Sequence, residues 1–245
     1  MPRYKALIEY DGADYFGFQR QKAGTPTVQS ELEGAIEHLT QTDTKIVGAG
    51  RTDSGVHALG QVISFSIDWQ HGQRALQRGL NAFLPADIVI LQLKQVPLSF
   101  HPRYDARRRS YIYTIYNTSV RSPVQRLRSW HVDVALNVKL MNEAAQFLIG
   151  THDFSTFGKA PQGDNTVREV FEANWQRDGR FFHFHITGNA FLYRMVRSLV
   201  GSLKLVGEER WTVDDFETAF RSCERSCSGK VAPPQGLFLA SVAYE

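Results

Sequence analysis

The residues best suited to chemistry lie in a glycine-rich segment, residues 47–61, with the sequence VGAGRTDSGVHALGQ. Asp53 and His57 are four residues apart and could supply two metal ligands from one face of a helix, but Gly55 between them and the lack of a third nearby ligand argue against a metal site. The pattern Gly-x-Gly-Arg also lacks the lysine and Ser/Thr of a Walker phosphate loop. Asp53 therefore either caps a turn, as in many Asp-Ser-Gly turns, or acts on a substrate.

Residues 103–128 form a second segment of interest, because arginine is concentrated there and interleaved with tyrosine. Seven arginines and four tyrosines accompany a single acid, Asp105. Guanidinium groups pair with phosphates and aromatic rings stack on unpaired bases, which is the combination used by RNA-binding surfaces. A solvated basic edge of a strand is the alternative, and the segment alone leaves both open.

Composition limits the kind of protein that can position these segments. The chain has 245 residues, of which 42% are apolar and 22% charged, enough for one large ordered domain or two modest ones. The N-terminal sequence does not resemble a signal peptide, and no stretch approaches the roughly 18 apolar residues of a membrane span, so we expect a cytoplasmic protein with no membrane segment. Cys223 and Cys227, four apart without a nearby histidine, predict reduced thiols and no metal site.

Hydrophobic periodicity predicts alternating strands and helices in both halves of the chain, which indicates an α+β fold with a join near residues 99–106. In the first half we predict strands at 4–10, 45–47, 60–67 and 88–96, and helices at 73–83 and from a Thr25 N-cap with Pro26 to about residue 40. In the second half we predict strands at 108–116 and 237–244, a hairpin at Asp178-Gly179, and helices after Asn137, from Ala190 to Gly207 and from Thr212 or Asp214.

The helix predicted from Ala190 has one apolar face and a second face formed by Arg194, Arg197, Gly201 and Lys204. Spacing alone favours an ordinary solvated face over a functional one. Glycine in the middle of a helix costs about 1 kcal/mol relative to alanine, so Gly201 indicates close approach by another backbone or by a ligand.

The glycine-rich segment, extended to GAGRTDSGVHALGQVISF, resembles the catalytic motif of the TruA family of tRNA pseudouridine synthases. Further blocks follow the family's order along nearly the whole chain: EYDGADYFGFQRQ, TVQSELEGAI, LNAFLPADIVI, FHPRYDARRRSYIYTIYN, GNAFLYRMVRSLVGSL and GLFLASVAY. The resemblance implies two ferredoxin-like α/β halves with antiparallel or mixed sheets joined across a central RNA-binding cleft. It places the catalytic Asp loop in residues 1–104 and the Tyr strand and Arg helix in residues 105–245.

The same resemblance implies an activity and partners. The protein would be a homodimer that binds tRNA and isomerises uridine to pseudouridine in the anticodon stem-loop, at the family's tRNA positions 38, 39 and 40. Because the isomerisation gains and loses no atoms or electrons overall, neither a cofactor nor a metal is expected.

Residue roles follow from the resemblance, position by position. Asp53 would be the essential carboxylate, which adds to C1′ or C6 of the nucleotide or acts as a base through a glycal-like intermediate. Tyr111 would pack against the flipped uracil, although a plain place in the sheet core is the alternative for a strand tyrosine. Arg197 would pair with Asp53 and orient it, and Arg51 would help to hold the displaced nucleotide.

The surrounding residues complete this interpretation. The glycines near Asp53 would let a ribose and a phosphate approach the backbone closely. Phe18 stands where the family commonly has tryptophan, and Pro102 stands in FHPR where FHAR is commoner. RNA contacts are further predicted for four arginines: Arg103, Arg107, Arg108 and Arg109. A noncatalytic tRNA-binding or chaperone module, with Asp53 in a structural role, is the alternative function.

Overall fold

The computed structural model describes the whole chain, Met1–Glu245. It forms two compact units, one made of Met1–Arg107 with Leu239–Glu245 and the other of Arg108–Phe238. Each unit packs helices against a β-sheet, which confirms the α+β class. The division of function at residues 104 and 105 stays a prediction. None of the helices combines the length and apolar character that crossing a membrane requires.

The regular elements are ten strands and five α-helices. The strands are β1 (Arg3–Tyr10), β2 (Val47–Gly48), β3 (His57–Ser66), β4 (Ile88–Val96), β5 (Arg108–Asn117), β6 (Trp130–Val132), β7 (Gly150–Asp153), β8 (Val167–Asp178), β9 (Phe181–Gly188) and β10 (Leu237–Ala243). The helices are α1 (Val28–Thr40), α2 (Gln73–Phe83), α3 (Val138–Ala145), α4 (Met195–Gly207) and α5 (Val213–Arg221).

The sheet of the first unit has the order β4-β1-β3-β10, with β2 paired to β3. β1 is antiparallel to both β3 and β4. Alternate residues of β1 are buried, so one face of this strand contributes to the core: Tyr4, Ala6, Ile8 and Tyr10. β3 begins at His57, three residues before the predicted start, and its first residues therefore belong to the strand rather than to the glycine-rich loop.

Helix α1 begins later than predicted. Its N-cap is Thr27, whose hydroxyl accepts the Ser30 N–H at 3.2 Å while the Ser30 hydroxyl accepts the Thr27 N–H at 3.1 Å. The prediction of Thr25 as the cap, with Pro26 at the first helical position, is wrong. The physical reason is a long-range contact, because the Pro26 carbonyl accepts the N–H of Phe16 at 3.0 Å and holds this stretch outside the helix.

The sheet of the second unit has the order β5-β9-β8-β7, with β6 paired in parallel to the end of β5. The hairpin predicted at Asp178-Gly179 is confirmed, since it joins β8 to the antiparallel β9. Asn137 and Thr212 are confirmed as N-caps of α3 and α5.

Helix α4 begins at Met195 and not at Ala190 as predicted. Arg194, just before it, has a left-handed backbone with a φ of 61°. Tyr193 forms an isolated antiparallel bridge with Lys159, and this contact keeps the preceding segment extended. Leu192 has the spacing of a helical apolar face relative to the residues of α4, and it is buried. It is buried from an irregular segment, however, and not from a further turn of the helix.

Candidate active site

Asp53 lies in the loop between β2 and β3, here called the Asp53 loop, residues 49–56. Hydrogen bonds to β3 fix the start of this loop: the Ala49 N–H donates to the Val62 carbonyl at 2.8 Å, and the Gln61 side-chain amide donates to the Gly50 carbonyl at 2.9 Å. Gln61 is fully buried. The loop is therefore anchored to the sheet, despite its many glycines.

The residue before Asp53 is held from both its side chain and its backbone. The buried hydroxyls of Thr52 and Tyr10 are hydrogen-bonded at 2.8 Å, and the Thr52 carbonyl accepts the N–H of Phe18 at 3.1 Å. Asp53 itself is half-buried, and its carbonyl accepts the N–H of Val56 at 3.1 Å in a turn. Asp53 therefore takes part in a turn through its backbone carbonyl. It also directly follows Thr52, whose side chain makes the buried hydrogen bond to Tyr10.

A second set of contacts comes from residues 12–18. The Tyr15 carbonyl accepts the Gly55 N–H at 3.3 Å and the Ser54 hydroxyl at 3.2 Å. Gly17 has a φ of 99°, and a Cβ there would lie 2.7 Å from the Thr52 carbonyl oxygen. Glycine is required at position 17 because both the backbone conformation and the close approach exclude a side chain. The loop and this segment form one packed unit.

The glycines of the loop region have structural reasons that the sequence interpretation did not foresee. A Cβ at Gly48 would lie 2.6 Å from the Phe18 ring, and one at Gly60 would collide with the Ala240 carbonyl. Gly55 has a φ of 76°, which L side chains rarely adopt. A Cβ at Gly50 would meet no atom within 4 Å, and the predicted approach of a ribose and a phosphate to the backbone of this loop stays a prediction.

His57 is a buried structural residue at the start of β3. Its Nδ1 accepts the Gly12 N–H at 3.0 Å and lies 3.0 Å from the Asp11 carboxylate. Because His57 begins a strand, it does not share a helical face with Asp53, and the spacing considered for two metal ligands is not realised. No group of three or more His, Cys, Asp and Glu side chains in the chain could hold a metal ion.

Tyr15 also packs against this loop. Its hydroxyl donates to the Asp87 carboxylate at 2.7 Å, and burial together with this hydrogen bond raises the pKa of the Tyr15 phenol well above its usual range. Tyr15 therefore stays protonated at neutral pH and acts as a hydrogen-bond donor, not as a base.

We predict that Thr52→Val lowers kcat about tenfold, because the variant loses the bond to Tyr10 that fixes the chain beside Asp53. The free energy of unfolding should fall by about 1–2 kcal/mol, since the Tyr10 hydroxyl loses a buried partner. Urea denaturation and single-turnover assays measure the two effects. Thr44→Val is a matched control, because Thr44 is also buried in this unit and bonds only to the nearby Thr42 carbonyl. Equal kcat values for the two variants would contradict the positioning role of Thr52.

In the second unit, Tyr111 lies in β5 and is half-buried. Its ring meets Phe191 edge to face, with centroids 5.1 Å apart and an interplanar angle of 81°. The neighbouring tyrosines of the same strand, Tyr113 and Tyr116, are buried in the core. Tyr111 differs from them because it is only half-buried. Sequence reasoning missed Phe191, although it lies inside the block GNAFLYRMVRSLVGSL.

Arg197 lies in the first turn of α4 and is half-buried. Its Nε donates to the Ala232 carbonyl at 2.7 Å. This bond fixes the plane of the guanidinium and directs the terminal nitrogens, which carry four N–H bonds, away from Ala232. The sequence interpretation expected a solvated face here, and the half-burial of Arg197 contradicts that expectation.

Gly201 and Lys204 on the same helical face are also packed, whereas Arg194 is exposed. Gly201 is buried, and a Cβ there would collide with the Lys230 carbonyl, so the predicted close approach of another backbone is confirmed. Lys204 pairs with Glu208 and lies 5.3 Å from the centre of the Trp130 ring. A solvated polar face is therefore wrong for Arg197, Gly201 and Lys204, because segments distant in sequence cover them, and it holds only for Arg194.

The predicted RNA-binding arginines are divided between the units. Arg51, Arg107 and Arg108 are exposed, while Arg103 and Arg109 are half-buried. Structural contacts already use three of them: Arg103 lies over the Tyr104 ring at 5.7 Å, Arg108 lies over the Phe171 ring at 4.7 Å, and Arg109 donates to the Asn189 carbonyl at 2.7 Å. Contacts with RNA stay a prediction for these residues.

Asp53 and Arg51 thus lie in the first unit, and Tyr111 and Arg197 lie in the second. Within the first unit, the structure brings together the Asp53 loop and residues 10–18. Within the second, it brings Phe191 to Tyr111 and Ala232 to Arg197. Convergence of Asp53 with Tyr111 and Arg197 stays a prediction.

Comparison with known proteins identifies the class of enzyme. A family model described as tRNA pseudouridine synthase matches residues 6–105 and 144–245, which is most of the chain. Pseudouridine synthases are isomerases. The chain belongs to the tRNA pseudouridine synthase family.

Individual relatives agree with this assignment. A tRNA pseudouridine synthase A from Sinorhizobium fredii is 42% identical over 248 aligned residues, which cover 100% of both chains. Another from a Thermoanaerobacter species is 41% identical over 239 residues, which cover 97% of this chain and 98% of the relative. Among solved structures, an H/ACA ribonucleoprotein bound to a substrate RNA containing 2′-deoxyuridine matches 82% of this chain and 43% of its own, with 14% identity and a TM-score of 0.34.

Proposed function

We propose that this protein isomerises uridine to pseudouridine in the anticodon stem-loop of tRNA, at positions 38, 39 and 40, with Asp53 as the catalytic carboxylate. The observation that carries the proposal is the fixed position of Asp53 in the first unit. Its carboxyl group is on a half-buried residue of a loop that hydrogen bonds fix on both sides. A loop that served only to turn the chain would not need this degree of anchoring, whereas a catalytic group must be held in place.

The reaction balances without an added reagent. The bond between N1 and C1′ of uridine breaks, the uracil turns over, and a bond forms between C5 and C1′. The proton leaves C5, and N1 ends with a hydrogen, so that the product is an isomer of the substrate. Asp53 supplies the carboxylate that these reaction steps need. It adds to C1′, adds to C6, or acts as the base in a route through a glycal intermediate.

The target nucleotide must leave its stack to reach Asp53. Tyr111, which is only half-buried, offers its ring to the extruded uracil, and Phe191 fixes the orientation of that ring by its edge-to-face contact. Arg197, whose Nε–H is held by the Ala232 carbonyl, is the residue that we propose to pair with the Asp53 carboxylate and to orient it. Arg51, which is exposed, holds the displaced nucleotide by its phosphate.

The substrate position is tested by mapping the product. Purified protein is incubated with an unmodified tRNA, without added cofactor, and pseudouridine is located by a chemical reaction specific for that nucleoside. We expect new pseudouridine at positions 38, 39 and 40 and nowhere else. Modification confined to the D or T arm would contradict the anticodon assignment, and absence of any modification would contradict the activity.

We further propose that the protein acts in the cytoplasm as a homodimer in which one tRNA contacts both subunits. Sedimentation at micromolar concentration tests the dimer, and a monomeric mass both with and without tRNA would contradict it.

We predict that Arg107→Gln with Arg108→Gln weakens tRNA binding chiefly through phosphate contacts, because both side chains are exposed. The slope of log Kd against log salt concentration should fall by about 0.7–0.9 for each phosphate that the variant no longer neutralises. Turnover at saturating tRNA should stay within about twofold, since neither residue is placed at the reacting atoms. Filter binding at several salt concentrations measures the slope.

The matched control removes the same charge elsewhere. Arg74 and Arg78 are exposed arginines on α2, and Arg74→Gln with Arg78→Gln should leave the salt slope unchanged. Equal slopes for the two double variants would show that net charge, and not a specific basic surface, determines affinity.

A further inference from the structure

Residues 228–233, here called the strap, run along the face of α4 that the sequence interpretation expected to be solvated. The Gly229 N–H donates to the Ser202 hydroxyl at 2.9 Å. The Lys230 carbonyl lies so close to Gly201 that a Cβ at position 201 would collide with it. Glycine in the middle of α4 therefore allows the strap to lie directly against the helix backbone.

The strap reaches Arg197 through a single residue, Ala232. The Ala232 N–H donates to the Arg197 carbonyl at 3.0 Å, and the Ala232 carbonyl accepts Nε–H of the Arg197 side chain at 2.7 Å. Ala232 is fully buried. Both the backbone and the side chain of Arg197 are thus fixed by the same peptide segment, and a shift of the strap must move the guanidinium.

Tyr113 fixes the far end of the strap. Its hydroxyl donates to the Pro233 carbonyl at 2.8 Å, and its ring is fully buried beside Gly236. Burial raises the pKa of the Tyr113 phenol well above its usual range, so the hydroxyl keeps the proton that it donates. Position 233 is adjacent to Ala232, so this bond restrains the carbonyl that holds Arg197.

We propose that Tyr113 and Gly201 are positioning residues for pseudouridine formation, which act by holding the strap in the place where Ala232 orients the Arg197 guanidinium. This inference rests on the role proposed for Arg197 above. Tyr113 is therefore more than a core tyrosine of β5. Its hydroxyl bonds to Pro233 of the strap, and the adjacent Ala232 bonds to the Arg197 guanidinium. Gly201 lacks the Cβ that would collide with the Lys230 carbonyl, and it therefore lets the strap lie against α4.

The test compares turnover with binding in two variants. Tyr113→Phe keeps the buried ring and removes only the hydroxyl bonded to Pro233, and Gly201→Ala places a methyl group against the Lys230 carbonyl. For each, we expect kcat to fall about tenfold, a fraction of the roughly hundredfold loss that an ångström of misplacement causes, with Kd for tRNA within about twofold.

A matched control separates positioning from loss of stability. The Thr156 hydroxyl is fully buried in the same unit and donates to the carbonyls of Ala219 and Phe220, which are not part of the strap. Thr156→Val should reduce the free energy of unfolding to a similar extent and leave kcat unchanged. A fall in kcat equal to that of Tyr113→Phe would overturn the positioning role.

A double variant shows whether the strap acts through Arg197. If it does, Tyr113→Phe with Arg197→Ala turns over no more slowly than Arg197→Ala alone. If the two losses multiply, or if Tyr113→Phe and Gly201→Ala both keep full kcat, the inference is overturned and the role of Arg197 is unaffected. Full turnover by Arg197→Ala would instead overturn the role proposed for Arg197, and this inference with it.

Discussion

Replacing Asp53 with asparagine should abolish pseudouridine formation and leave the fold and most of the tRNA affinity intact. Asparagine nearly preserves the shape of the side chain and removes its charge and basicity. Loss of one member of a catalytic group costs on the order of 10⁴-fold in turnover, and we expect a loss of at least that size here. Single-turnover incubation with unmodified tRNA, followed by nucleoside analysis, measures the rate.

The fold should survive this change because other residues carry the hydrogen bonds that anchor the loop. Thr52, Ser54 and Gly55 make these bonds, to Tyr10, Phe18 and Tyr15. Asp14→Asn is a suitable control, since Asp14 is an exposed aspartate in the segment that packs on the loop, and it should keep full activity. If Asp53→Asn kept normal activity, the proposed mechanism would be wrong. If it lost stability and binding together, Asp53 would be structural.

Replacing Arg197 with alanine should lower kcat by about 10²–10³-fold while changing the Kd for tRNA only a few-fold. The guanidinium is fixed by Ala232 before substrate arrives, so its contribution is to orient charge at the reacting centre rather than to attract RNA. Reductions of this size are typical when a preorganised electrostatic group is removed from an active site. Single-turnover rates and filter binding give the two quantities.

Lysine should restore little of the missing turnover at this position. A lysine ammonium lacks the planar fork that lets one nitrogen bond to Ala232 while the others point elsewhere. Arg197→Lys therefore tests geometry separately from charge. Near-normal turnover in Arg197→Lys would show that a positive charge alone suffices, and equal reductions of kcat and affinity in Arg197→Ala would show that Arg197 serves binding.

The elements that local sequence determines could be predicted. The hairpin at Asp178-Gly179 and the caps Asn137 and Thr212 depend on residues within a few positions of each other, and all three are confirmed. The starts of α1 and α4 could not be predicted, because distant contacts determine them. The Pro26 carbonyl bonds to Phe16, and Tyr193 pairs with Lys159.

The candidate site was predictable only in part for the same reason. Motif resemblance pointed to Asp53, Tyr111 and Arg197, but not to what holds them. Tyr10 and Thr52 are 42 residues apart in sequence, and Arg197 and Ala232 are 35 apart. Periodicity assigned the arginine to a solvated face because it describes a helix in isolation, whereas the strap that covers this face comes from a distant part of the chain.

The most direct test of a catalytic Asp53 follows the hydrogen at C5 of uracil, which must leave when the new bond to C1′ forms. An unmodified tRNA labelled with tritium at that position is incubated with the native protein or with Asp53→Asn, with no cofactor and with a metal chelator present. We expect tritium release to water in proportion to pseudouridine formed by the native protein, and none above background from the variant. Equal release by both proteins would contradict a catalytic role for Asp53.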